Sequence, residues 1–402
     1  MTELARGIVF VKGACNGAIY DLVRNKVFSV NASACQILEK YINGEVVPSI
    51  DLLCLNALIG HNLIDKDYKP RPFLPEHVEE SSRVCFDIVW LELTNKCNLK
   101  CVHCYQGHNH THTNDQMELK DWECIVEQLA MRGIRDLVII GGEPSLFPGV
   151  SKLLRYVSQL KISQTLYTNA TFKDNTLKDA ILESGCNIKV SLYGHNCELH
   201  DSITGIKGSF TLTCNNIRWF VIKGVRVHVA IILMKENQSY KDAIKDYVLK
   251  MGVKEISFDV IRTMPDGDQF LHTPTLSVIK NLKNRKKPCF KISKEMFIEA
   301  VSKNSCWNRK LAITAEGYAI PCIFARNVVI GNLKVVKLAE LLQSAELRKC
   351  WNLPVGSISE CINCEFRFAC KDCRAMALAM KHNLYAKNPR CNYNPTKGIW
   401  EV

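Results

Sequence analysis

Three thiols within eight residues, Cys97, Cys101 and Cys104, are the densest chemistry in the chain. They follow the apolar run Ile88-Val89-Trp90-Leu91-Glu92-Leu93, which reads as a buried strand. Close thiolates suit an iron–sulfur cluster; four would close a cube, and three leave one iron open to an exchangeable ligand. Zinc fits less well, because its sites pair C-x-x-C or Cys/His units. Chance crowding in a chain of 20 Cys is the bland alternative. A second group, Gly141-Gly142-Glu143-Pro144, follows the strand-like Leu137-Val138-Ile139-Ile140. Its glycines admit close backbone approach of a ligand, and its carboxylate can accept a hydrogen bond from an ammonium group. Alone, Gly-Gly-x-Pro is also an ordinary turn.

The C-x-x-x-C-x-aromatic-C arrangement, with His103 in the aromatic slot, resembles the radical S-adenosylmethionine (radical SAM) superfamily. The Gly-Gly-Glu-Pro motif one strand–helix unit later makes the resemblance specific. It implies that Cys97, Cys101 and Cys104 hold a catalytic 4Fe–4S cluster. It also implies that Gly141, Gly142, Glu143 and Pro144 hold the methionine amino group of S-adenosylmethionine.

The scaffold must deliver these loops to one place. From residue 87 to 262 strands and helices alternate, with strands expected at 87–94, 136–140, 164–167, 187–192, 225–233 and 255–261. Helices are expected at 118–131, 150–160, 175–183, 209–222 and 239–251. Regular β-then-α order argues for a parallel sheet with right-handed crossovers. Six such units predict an α/β chain built on a partial (β/α)6 barrel, with its chemistry at the strands' C-terminal ends. Thr168-Asn169 ends the third strand and Ser191 the fourth. The resemblance implies that small polar residues there approach the methionine and ribose; ordinary turn chemistry is the alternative for Thr168, Asn169 and Ser191. The segment His200-Asp201 to Phe210 reads as packing and helix capping.

Residues 1–70 look like a separate unit. Strands are expected at 7–11, 18–22 and 26–30, the last two forming a hairpin through Val23-Arg24-Asn25. Asn31 is placed to cap a helix that Gly44 ends, and Ser49 to cap a second. This pattern resembles an abbreviated winged-helix-like leader-peptide-recognition domain, and a generic cap on the core is the alternative. Residues 71–84, with Pro72 and Pro75, read as a linker. Residues 85–290 would be the radical SAM barrel and residues 300–402 a cysteine-rich domain.

That last region spaces Cys306, Cys322, Cys361, Cys364, Cys370, Cys373 and Cys391 as C-x15-C, C-x2-C-x5-C-x2-C and a final Cys. Seven are too many for one tetrahedral zinc and suit two clusters or a zinc ribbon. Beside the upstream motif, the spacing resembles the iron–sulfur SPASM extension with two auxiliary 4Fe–4S clusters, three clusters in all. The family's usual last spacing is C-x3-C, and here Cys370 to Cys373 is C-x2-C. By analogy Cys361, Cys364, Cys370 and Cys391 hold the outer cluster, and Cys306, Cys322 and Cys373 the inner one. The inner set is one thiol short, with Cys350 and Cys289 the nearest spares. An open iron there would have room for a substrate thiolate. The remaining cysteines read mostly as small buried hydrophobes.

The net charge of +12 suits an acidic peptide segment and nucleic acid equally, yet no motif for nucleic acid is present. The cluster Asn284-Arg285-Lys286-Lys287 and the histidines His108, His110 and His112 read as solvated loops. No run of 18 apolar residues predicts a membrane helix, and no export signal is seen, so a cytoplasmic enzyme with reduced thiols is expected. The resemblance implies a peptide maturase that takes hydrogen from a ribosomally made precursor with a leader segment, most often to form a Cys thioether to carbon. It implies an external one-electron reductant of flavodoxin or ferredoxin type, and no catalytic side chain beyond the cluster. Alternatives are a sulfatase-maturing, formylglycine-forming enzyme, a carbon–carbon cross-linking or epimerising relative, and a non-catalytic iron–sulfur electron carrier.

Overall fold

The computed structural model describes residues 1–75, 86–107, 116–262, 271–275, 277–278 and 291–401. The histidine run, the 284–287 cluster, Cys85, Cys289 and most of the 71–84 linker lie outside the described residues. The chain forms two compact units, Met1–Glu79 with Arg285–Asn308 and Lys349–Val402, and Glu80–Asn284 with Arg309–Arg348.

In the first unit, strands β1 (Thr2–Ala5), β2 (Ile8–Lys12), β3 (Gly17–Asp21), β4 (Lys26–Val30) and β5 (Arg71–Pro72) make an antiparallel sheet ordered β4-β3-β2-β1-β5. β1 was not expected. Its Glu3 explains how a carboxylate enters a strand, since it takes Tyr68 Oη and the Arg71 guanidinium on β5. Helix α1 (Ala32–Asn43) is capped as expected: Asn31 Oδ1 accepts from Ala34 N at 2.9 Å, and Gly44 adopts φ 71°. Ser49 is not the cap of the second helix. It opens a 3-10 turn after Pro48, and α2 (Leu52–Gly60) begins three residues later.

In the second unit, β6 (Phe86–Glu92), β7 (Ile134–Ile140), β8 (Ser163–Thr168), β9 (Asn187–Ser191), β10 (Val227–Leu233) and β11 (Glu255–Val260) pair in parallel in chain order. Their crossovers carry α3 (Leu119–Arg132), α4 (Val150–Gln159), α5 (Asn175–Glu183), α6 (Cys197–Thr204), α7 (Ser209–Ile222) and α8 (Lys241–Lys250). α3 has a capping box between Glu118 and Asp121. Helix α6 was not expected. From within it Asp201 turns its carboxylate to Gly208 N, Ser209 Oγ and Phe210 N, at the start of α7. The sheet does not stop at six strands. β12 (Lys310–Ile313) pairs in parallel with β6, and β13 (Tyr318–Ile320) and β14 (Gly331–Asn332) continue it antiparallel. The result is a nine-stranded mixed sheet in which the Cys322 segment extends the core.

Candidate functional site

β6 delivers the three-cysteine loop, and α6 holds its far side. Lys100 N donates to Thr204 O at 2.8 Å and Val102 N to Ile203 O at 3.0 Å. β7 delivers Gly141 and Gly142 against the start of that loop. Gly142 N donates to Thr94 O at 2.7 Å, and Glu143 N to Lys96 O at 2.8 Å. A Cβ on Gly141 would sit 2.6 Å from Thr94 O, and one on Gly142 2.3 Å from Lys96 O. The close approach that demands glycine here is thus between two loops of the chain.

Glu143 is fully buried. Its Oε1 accepts from Thr168 Oγ1 at 2.7 Å and Ser145 N at 3.0 Å, and its Oε2 from Asn169 N at 2.8 Å. Burial pushes its carboxyl up, against these donors. Asn169 in turn donates through Nδ2 to Asn98 Oδ1 at 2.8 Å, inside the cysteine loop. Glu143, Thr168, Asn169 and Asn98 therefore form one polar network joining three strand ends. Ser191 is the last residue of β9 and is half-buried. The His103 ring meets the Tyr193 ring edge-on at 4.6 Å between centroids.

A buried cluster that the motifs did not announce braces the other side. Glu92, fully buried at the end of β6, accepts both contacts of Arg326 Nη1 at 2.9 Å. It also accepts from Tyr105 Oη at 3.0 Å. Tyr105 follows Cys104 directly, and its ring packs edge-on against Phe324 at 5.5 Å. The lone carboxylate in the apolar run of β6 was the available signal, because a buried charge requires a partner.

The donor set fits an iron–sulfur group and a polar ligand. Burial pushes the Cys97 thiol up to about 11, and Cys101 and Cys104 also rise through burial; Cys97 and Cys101 each rise further from neighbouring thiols of the set. Buried Nδ1 of His103 and both side-chain polar atoms of Gln106 have no partner among the described residues. In the C-terminal segment Cys361 and Cys364 are pushed up to about 12, and Cys370 well up, by burial and then in part by one another and Cys391. Among the described residues no three His, Cys, Asp or Glu side chains gather to hold a single metal ion. Cluster thiolates bind separate irons and need no such convergence. Of the remaining candidates, Cys306 and Cys373 belong to one compact unit and Cys322 to the other. Cys350 is buried in the helix Ala345–Trp351; of the scattered cysteines, read mostly as buried hydrophobes, Cys35, Cys186 and Cys214 are also buried and Cys124 and Cys197 are exposed.

Residues 91–247 match the radical SAM superfamily, and residues 306–374 match SPASM, an iron–sulfur cluster-binding domain. The protein is a radical SAM enzyme with a C-terminal SPASM domain. The antilisterial bacteriocin subtilosin biosynthesis protein AlbA of Bacillus subtilis is 25% identical over 332 residues, 77% of this chain and 72% of the relative. An AdoMet-dependent heme synthase of Methanosarcina barkeri is 24% identical over 342 residues, 77% of this chain and 97% of its own. The structure of Streptococcus suis SuiB bound to precursor peptide SuiA has the same fold, with TM-score 0.62 at 16% identity over 97% of this chain and all of SuiB. When bound, a cluster with S-adenosylmethionine supplies a carbon radical able to take hydrogen from a strong C–H bond. The chain's part is to hold, orient and dry that site. No helix among the described residues is long and apolar enough to cross a membrane.

Proposed function

We propose that the enzyme matures a ribosomally made precursor peptide, forming a thioether between a Cys sulfur and a carbon. The observation that carries this is the fold likeness to SuiB over 97% of the chain, which therefore takes in the N-terminal sheet. SuiB was solved with its precursor peptide, and AlbA is named for bacteriocin biosynthesis. The reading carries three 4Fe–4S clusters: Cys97, Cys101 and Cys104; Cys361, Cys364, Cys370 and Cys391; and Cys306, Cys322 and Cys373. An external one-electron reductant feeds them. Residues 1–70 act as the winged-helix-like recognition domain. Strand β4 ends the sheet, and Lys26, Phe28 and Ser29 on it are exposed, which suits addition of a leader strand.

The test incubates reduced enzyme and S-adenosylmethionine with short Cys-containing candidate precursor peptides, taken from reading frames neighbouring its gene. The expected product has lost a pair of hydrogens, no longer alkylates at that Cys, and accumulates with 5′-deoxyadenosine. Deoxyadenosine without any change in the peptide rejects the reading. A formylglycine product, or turnover of a porphyrin, supports a sulfatase-maturing or heme-synthase-like enzyme instead. Phe28→Asp on β4 should weaken leader binding by fluorescence anisotropy, and unchanged binding rejects the sheet edge.

A further inference from the structure

Strands β2 and β3 alternate strictly between two cores. Ile8, Phe10 and Ile19 face α1 and α2 with Leu38 and Leu55. Val9, Val11, Ala18 and Tyr20 face the other way, onto Phe297, Phe366, Phe368 and Tyr393, with Cys364 and Cys391 at the margin. A sheet covered on both faces is part of an interior, which is why both strands read as continuous apolar runs. Its second cover is the segment assigned above to the outer cluster.

Polar contacts fix that cover at named atoms. Ala14 N donates to Asn363 O at 2.8 Å, between Cys361 and Cys364. Tyr20, fully buried, donates its hydroxyl to Glu365 O at 2.8 Å, the first carbonyl after Cys364. Arg367 Nη1 donates to Lys12 O at 3.1 Å and to Cys364 O at 2.7 Å. Tyr393 Oη donates to the buried Glu365 Oε1. Gly13 leaves no room for a side chain, since a Cβ would lie 2.5 Å from Glu365 Oε2 and 2.7 Å from Asn16 O.

We propose that the N-terminal sheet is a wall of the outer-cluster site, with Gly13 and Tyr20 as positioning residues for the loop that carries Cys361 and Cys364. This rests on the cluster assignment of the proposed function. Groups that orient metal-ligating loops are felt at the metal as well as in stability. One consequence concerns experiments on recognition. Deleting residues 1–70 would strip the outer site of a wall as well as any leader contact, so deletion cannot separate the two roles.

The experiment uses the full chain reconstituted with iron and sulfide, in a Cys97→Ala, Cys101→Ala, Cys104→Ala background that leaves only auxiliary clusters. Cys361→Ala with Cys364→Ala is the control, and it should remove one cluster's iron and one electron paramagnetic resonance (EPR) signal. If it removes neither, the cluster assignment itself is wrong. Tyr20→Phe and Gly13→Ala should shift or broaden that same signal, or lower its iron, while the remaining auxiliary signal stays. Tyr20→Phe retains the ring and so retains the apolar core; circular dichroism matching the parent shows that the sheet is formed. An outer-cluster signal and iron content unchanged in both variants would overturn the proposal.

Discussion

The loop of Cys97, Cys101 and Cys104 and the segment 361–391 both present cysteines beside a buried glutamate, and they are held in opposite ways. Glu92 beside the first loop meets a guanidinium and a phenol. Glu365 in the second segment has Tyr393 on one oxygen, and its other oxygen is buried with no hydrogen-bond partner among the described residues. The first loop hangs between a parallel strand and a helix end, with main-chain bonds to Ile203 and Thr204. In the second segment the stretch 361–373, which carries Cys361, Cys364, Cys370 and Cys373, has no helix or strand of its own, and the helix Arg374–Lys381 follows it. The segment leans on an apolar sheet face formed by residues 9–22. A loop at the ends of parallel strands needs only a few polar fasteners, because the sheet already fixes its two stems. A segment without stems has to borrow a surface.

The largest effect should come from removing the first loop's thiols. Changing Cys97, Cys101 and Cys104 together to Ala should abolish 5′-deoxyadenosine formation, measured by chromatography, and leave the C-terminal iron in place. Loss of iron from both regions would show that the two are not held independently. Next in size is Arg326→Met, which strands the Glu92 carboxylate inside the core. Breaking a buried pair on one side costs about 3–5 kcal/mol. Chemical denaturation should show that loss, with much of it recovered in Glu92→Gln, Arg326→Met. Equal losses in the single and double variants would mean that the charge pair is not what braces the loop.

Much of the first region could be read from the chain. The alternation of strands and helices and the six strand positions follow from local pattern, and local pattern decides them, as it does the cap at Asn31 in the N-terminal unit. The pairing of Glu92 with Arg326 could not be read, because the partner lies 234 residues away. Only the demand for some cation was visible, in one carboxylate inside an apolar strand. β12 was missed for a similar reason: four residues beside a cysteine-rich stretch carry no period of their own, and pairing with β6 makes them a strand. Strands β2 and β3 were found, but their two-sided burial was not, since a sheet's second cover is a tertiary fact. Ser49 failed as a cap because Pro48 set up a 3-10 turn first.

A pH-dependent effect comes next and belongs to the first region alone. Burial lowers the His200 imidazole to about 4, with Asp201 pulling the other way. The neutral ring accepts Tyr193 N at 3.3 Å through Nδ1. A depressed folded value means that unfolding takes up a proton. The stabilisation is complete above the ordinary histidine value near 6.5 and is lost as pH falls toward 4, up to about 3 kcal/mol. Denaturation midpoints at pH 7 and pH 4.5 should therefore diverge less in His200→Asn than in the native chain. The same slope in both would assign the acid sensitivity to other groups.

The smallest expected effect tests the contrast most finely, because it removes one hydroxyl from each region. Tyr105→Phe deletes a hydrogen bond to a buried carboxylate, and Tyr20→Phe deletes one to a neutral main-chain carbonyl. Both rings stay, so the packing against Phe324 in one case and Phe297 and Phe368 in the other is kept. A bond to a charged group is worth about 1.5–3 kcal/mol net, and one between neutral groups about 1 kcal/mol. Glu92 also keeps both Arg326 contacts in Tyr105→Phe, which holds its loss to the low end of that range. Denaturant titrations of the two variants should thus rank Tyr105→Phe as the more destabilised, by a margin smaller than either loss. If Tyr20→Phe proved the more costly, the segment 361–391 would depend on that single hydroxyl more than on its apolar cover. The distinction between polar fastening in one region and borrowed surface in the other would then fail.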